Sequence, residues 1–138
     1  DNLLLGADLV KDPAVIEAAY NDSAGVTAAF NRNMLHVVNR ELAADFDPDA
    51  FDHVAFYDRE REWVDMRLRS RREQTVTIRA LGMQMRFAAG EDLRTEISAK
   101  FTPERLRDDL AAAGLAPVER FTDPDGLFTL VLARPDSR

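Results

Sequence analysis

The chain has 138 residues, 46% apolar and 31% charged, enough for one domain with a buried core, and its formal net charge is −7 at pH 7. That acidic balance argues against nucleic acid as a default partner, because phosphate binding wants clustered Lys and Arg. With no cysteine and two histidines it offers no disulfide framework, thiolate metal site or histidine-rich metal site. It also has no signal-peptide pattern and no apolar run of membrane-spanning length, so the expectation is a cytoplasmic protein.

In chain order, Leu3-Leu4-Leu5-Gly6-Ala7-Asp8-Leu9-Val10 is an apolar run without polar alternation. It reads as a strand over 2–10 buried on both faces, of the kind found in parallel sheets. Such a strand needs neighbours reached through crossovers, so the expectation is the C-terminal part of a larger protein. Asp12-Pro13 opens a helix running to Tyr20, with Asp as cap and Pro in the first turn. A longer helix spans 24–43, with Phe30, Met34, Val37, Val38 and Leu42 as its apolar stripe. Asn31 and Asn33 are poor helix formers and predict hydrogen bonds to neighbouring loops.

From Phe51 the period changes to two, and five strands follow in an antiparallel meander to Phe101. The basic segment Arg67-Leu68-Arg69-Ser70-Arg71-Arg72 reads as a solvated hairpin edge. Thr102-Pro103 starts a last helix that Gly114 ends. A hairpin of strands 118–122 and 127–133 turns at Asp123-Pro124-Asp125-Gly126.

Within the meander, Glu96 and Ser98 project from one side of a strand, with Leu93, Thr95, Ile97, Ala99 and Phe101 on the other. Two residues along a strand span roughly 6.6–7 Å, so an imidazole bonded at both nitrogens fits between them. The carboxylate accepts from an N–H, and the hydroxyl serves the other nitrogen. A purely structural alternative is a polar strand face with Glu96 paired to Lys100 or Arg94. His36 reads as structural. His53 and Asp52, adjacent on a strand, face opposite sides and form no dyad.

The closing helix and hairpin resemble the last elements of the S-adenosylmethionine-dependent methyltransferase fold. More specific are Leu5-Gly6-Ala7-Asp8-Leu9-Val10-Lys11-Asp12, Ala19-Tyr20-Asn21-Asp22, Gly25-Val26-Thr27-Ala28-Ala29-Phe30-Asn31-Arg32-Asn33 and Val38-Asn39-Arg40-Glu41-Leu42. With Gly90-Glu91 and Thr95-Glu96-Ile97-Ser98-Ala99-Lys100-Phe101, they make nearly the whole chain similar to the histidine N-alpha-methyltransferases. That family trimethylates the alpha-amine of histidine to hercynine, which feeds ergothioneine synthesis.

The resemblance implies an α+β fold: an antiparallel β-meander with two helices, plus terminal elements of an α/β (Rossmann-like) methyltransferase sheet. Residues 1–10 would be a strand of that sheet, 11–100 the C-terminal part of the substrate-binding domain, and 101–138 the last helix and hairpin. It further implies that Glu96 and Ser98 select the imidazole, that Tyr20 contacts the substrate carboxylate, and that Met66 packs on the substrate. Thr27 and Phe30, one helical turn apart, would line the same site; as plain helix residues they equally suit the core. S-adenosylmethionine would be bound by an absent N-terminal part, without metal, since methyl transfer from a sulfonium needs positioning above all. L-histidine is then the expected partner, and the isolated chain would be inactive. An intact monomer is expected, with self-association of the isolated chain. Two alternatives remain open: a methyltransferase of the same family for another amino acid, and a non-catalytic binding module.

Overall fold

The two ends of the chain build one sheet and its middle builds two others. The computed structural model describes residues 1–136. The elements are β1 (Leu3–Asp8), α1 (Pro13–Tyr20), α2 (Val26–Leu42), β2 (Phe51–Asp58), β3 (Trp63–Ser70), β4 (Gln74–Ile78), β5 (Met83–Phe87), β6 (Asp92–Ala99), α3 (Pro103–Ala112), β7 (Leu115–Thr122) and β8 (Phe128–Pro135). Sheets of order β1-β8-β7, β2-β3-β6 and β4-β5 form, all antiparallel. The fold is mixed α+β. No parallel Rossmann-like sheet is present among the described residues; a single parallel bridge joins Leu9 to Phe101.

The five middle strands are not one continuous meander. β4 and β5 leave the sheet as a hairpin of their own, and β6 returns to pair with β3. The cause is packing. Val76, Ile78 and Phe87 of the hairpin join Leu35, Phe46, Phe51 and Leu68 in the largest core cluster. There the rings of Phe46, Phe51 and Phe87 meet with centroids 5.5–6.2 Å apart, a spacing that favours edge contacts.

The helix starts follow local chemistry. The Asp12 side chain accepts from the Ala14 amide, with Pro13 in the first turn of α1. The Thr102 hydroxyl caps α3 by accepting from the Arg105 amide at 3.2 Å. The apolar stripe expected on α2 is displaced. Its buried line is Asn31 and Leu35, continued by Val38 and Leu42, whereas Phe30 is 66% exposed. A polar residue holds the inward position because its bonds are satisfied there. Asn31 donates to the Arg67 carbonyl at 3.0 Å and lies 2.9 Å from His53 Nδ1. Its partners are therefore on strands rather than loops, and Asn33 is exposed.

β1 is buried on one face only. Ala7, Val131 and Ala133 pack under Leu106 and Leu110 of α3. On the opposite face Leu4, Phe121, Phe128 and Leu130 are exposed. The alternation is hidden because both sides of this strand are apolar, while its partner is the antiparallel β8 rather than a parallel neighbour. The two units join where the Phe101 amide donates to the Asp8 carbonyl at 2.9 Å and the Val10 amide to the Phe101 carbonyl at 3.0 Å.

Candidate functional site

The site begins where α1 ends. The Asp22 carboxylate accepts from the amides of Val26 and Thr27, each at 2.8 Å, closing the turn between the helices. These bonds hold its carboxyl below the usual range. His53 on β2 clamps the same corner from below, with Nε2 lying 2.9 Å from the Tyr20 carbonyl. A carbonyl only accepts, so Nε2 carries the hydrogen and Nδ1 accepts from Asn31. One imidazole thus ties the end of α1 to the start of α2. Asp52 turns away and pairs with Arg71, so no dyad forms.

Tyr20 and Ser98 meet directly, the phenol donating to the Ser98 hydroxyl at 2.7 Å. Beside them lies Lys100, only 1% exposed. Its ammonium donates to the Tyr20 oxygen at 2.8 Å and the Ser98 oxygen at 3.0 Å, and pairs with Asp8 at 2.8 Å. Burial opposes the charge on both members of the Lys100–Asp8 pair. Their mutual hydrogen bond, with those from Lys100 to Tyr20 and Lys11 to Asp8, outweighs it. Lys100 is held above the ordinary lysine range and Asp8 below the ordinary carboxylate range.

Glu96 lies opposite Met66, and Ser98 opposite Val64. The register then slips: Arg67 faces Arg94, leaving Thr95 as the extra residue of a bulge. The Thr95 hydroxyl donates to the Met66 carbonyl at 3.0 Å. This slip corrects the simple alternation, because it carries Leu93, opposite Leu68, onto the side of Glu96 and Ser98. Glu96 itself is exposed, and among the described residues its carboxylate has no hydrogen-bond or ion-pair partner. The pairings considered for it are absent: Lys100 serves Asp8, Tyr20 and Ser98, and Arg94 serves Asp65. The free carboxylate lines a cavity of about 200 Å³ with Phe30, Asn31, Asn33, Met34 and Thr95.

The remaining candidates divide. Phe30 shares the cavity with Glu96. Met66 is buried with Ile16 and Val64, and Tyr20 packs against this cluster. Thr27 stands in the first turn of α2, its hydroxyl 3.4 Å from the Ala19 carbonyl, and does not line that cavity. A second cavity, of about 350 Å³, opens beside Tyr20 and is lined by Asp22, Arg32, Asp52 and His53 among others. The basic segment is spent on pairing: Arg67 with Asp65 and Asp92, Arg69 with Asp92, Arg71 with Asp52, and Arg72 with Asp47. His36 is exposed on α2.

Sequence reasoning missed Lys100 as part of the site, along with Asp8, His53 and Thr95. A signal existed for two of them: Glu96, Ser98 and Lys100 repeat with period two, and Asp8 interrupts an apolar run. Among the described residues no group of three or more His, Cys, Asp or Glu could hold a metal ion. Nor is any helix long and apolar enough to cross a membrane.

This antiparallel α+β unit thus presents the Glu96 carboxylate to one small cavity and Tyr20, hydrogen-bonded to Ser98, beside another. Over residues 1–135 the chain matches the model of the histidine-specific, SAM-dependent methyltransferases, and it belongs to that family. It is 56% identical over 133 residues to the histidine N-alpha-methyltransferase of Mycolicibacterium smegmatis and 52% identical over 133 residues to that of Mycobacterium tuberculosis. Each alignment covers 96% of this chain and 41% of the relative, so the chain spans well under half the length of either.

Proposed function

We propose that this chain is the amino-acid-recognition part of an S-adenosylmethionine-dependent enzyme that trimethylates the alpha-amine of L-histidine to hercynine. The observation that carries the reading is Glu96. A carboxylate without a partner among the described residues, at a cavity and on the same strand face as Ser98, is matched to the N–H of an imidazole, with the Ser98 hydroxyl on the other nitrogen. An aliphatic side chain would leave both groups unpaired, and an indole, with one N–H and no acceptor nitrogen, would leave the Ser98 hydroxyl unpaired, at a cost of about 1–3 kcal/mol. Tyr20 holds the substrate carboxylate, Met66 floors the site, and Phe30 closes its α2 side, with Thr27 in the first turn of α2 beside the end of α1. These contacts orient the amine, and orientation is the main contribution the chain makes to the transfer.

In this reading 11–100 belong to the substrate-binding domain, while 1–10 and 101–138 are pieces of a methyltransferase sheet. S-adenosylmethionine binds to the part of the full-length protein outside this chain. The test incubates the full-length protein with S-adenosylmethionine and each common amino acid and follows added methyl groups by mass spectrometry. Trimethylation of histidine alone is expected, with Glu96→Ala lowering kcat/KM for histidine about tenfold or more. Methylation of a different amino acid, or of none, overturns the assignment.

A further inference from the structure

Lys100 and Asp65 are the two most deeply buried charges in the described chain, each 1% exposed, and the proposed recognition roles leave Lys100 unused. An ammonium has three hydrogens to donate and nothing with which to accept. Here all three are spent, on Asp8 of β1, the Tyr20 phenol and the Ser98 hydroxyl. Asp8 in turn pairs with Lys11. Both hydroxyl oxygens therefore face a cation, which makes each a poorer acceptor and its proton a stronger donor. Without ligand the Tyr20 proton rests on Ser98. The Ser98 oxygen then receives two hydrogen bonds, and its own proton is left to point outward.

We infer that Lys100 is a positioning residue that sets Tyr20 and Ser98 as hydrogen-bond donors, so that the site takes an amino acid as carboxylate with a neutral imidazole. The inference rests on the histidine reading and deepens it. A carboxylate draws the phenol proton and the unprotonated ring nitrogen draws the Ser98 proton, while the ring N–H goes to Glu96. A ligand presenting a donor at Ser98 meets an oxygen that the ammonium has made a poorer acceptor. The same ammonium, through Asp8, fastens this donor pair to the sheet formed by the chain ends.

The experiment is a double-mutant cycle in the full-length protein, read as kcat/KM for L-histidine, with the KM for S-adenosylmethionine as control. Lys100→Met alone would leave Asp8 with Lys11 as its one cation, so the charge-balanced Lys100→Met/Asp8→Asn exchange is used. It is expected to lower kcat/KM about tenfold in the parent, and about threefold or less in the Ser98→Ala and Tyr20→Phe backgrounds. If that double fails to fold, Lys100→Gln/Asp8→Asn, which keeps uncharged donors, runs the same cycle. An equal loss in all backgrounds means a packing role only and overturns the inference, as does no loss in the parent. A parent that turns over another amino acid but not histidine overturns the histidine reading as well, so the two failures are distinguishable.

Discussion

One extra residue in β6 decides where Glu96 points. Thr95 bulges between paired strands, and its hydroxyl bonds the Met66 carbonyl on β3. A bulge bends its strand and re-aims the neighbouring side chain. Thr95→Val keeps the shape and removes the bond, leaving a carbonyl short of a partner. The expected loss is about 1 kcal/mol of stability by thermal melting and a severalfold rise in the KM for histidine, with Thr95→Ser restoring both. A normal KM in Thr95→Val would show that the bulge does not serve the site. That Glu96 and Ser98 share a strand face was legible from spacing alone, because strand side chains alternate. The bulge was not, since register is a property of two strands and the partner's pairing cannot be read from one.

At the scale of elements, β3 and β6 are bound on their other face by a charge network. Asp65, 1% exposed, accepts from Arg67 at 2.7 and 3.0 Å and from Arg94 at 3.2 and 2.6 Å. Asp92 accepts from Arg69 at 2.7 and 2.9 Å and from Arg67. Burial notwithstanding, the Arg67 and Arg94 bonds hold the Asp65 carboxyl low, and those from Arg69 and Arg67 do the same for Asp92. A carboxyl whose folded pKa lies below its unfolded one contributes stability that is present above the unfolded value. That stability is lost as pH falls through the folded value. The melting temperature is expected to fall with acid from about pH 5 downward. Asp65→Asn should lower it at neutral pH and flatten the acid slope. A wild-type melting temperature unchanged down to pH 3 would contradict the network's role. The sequence displayed this basic segment as a hairpin edge. Only the packed sheet shows that Asp65 and Asp92 neutralise its inner half.

At the scale of the whole molecule, one sheet carries a bare apolar face. α3 covers one side of β1-β8-β7, and Leu4, Phe121, Phe128 and Leu130 stay exposed on the other. Contiguous exposed apolar surface of this kind marks an interface, and β1 and β7 also present free edges. The isolated chain is therefore expected to self-associate in sedimentation velocity. Phe128→Lys/Leu130→Lys should shift it toward monomer without changing the helix content seen by circular dichroism. A monomeric wild-type chain at high concentration would refute this.

The sequence by itself determined the helix starts, the strand periods, the closing hairpin and the shared strand face of Glu96 and Ser98. Each follows from local rules: a cap, an alternation, a turn, a motif. Only the tertiary structure decided that the middle strands divide into two sheets and that Asn31 faces inward. It alone placed Lys100 beneath Tyr20 and Ser98, with Asp8 as its counter-ion. Asp8, Tyr20 and Lys100 lie far apart in the chain, and a buried charge is tolerated only where the fold brings its partners to it.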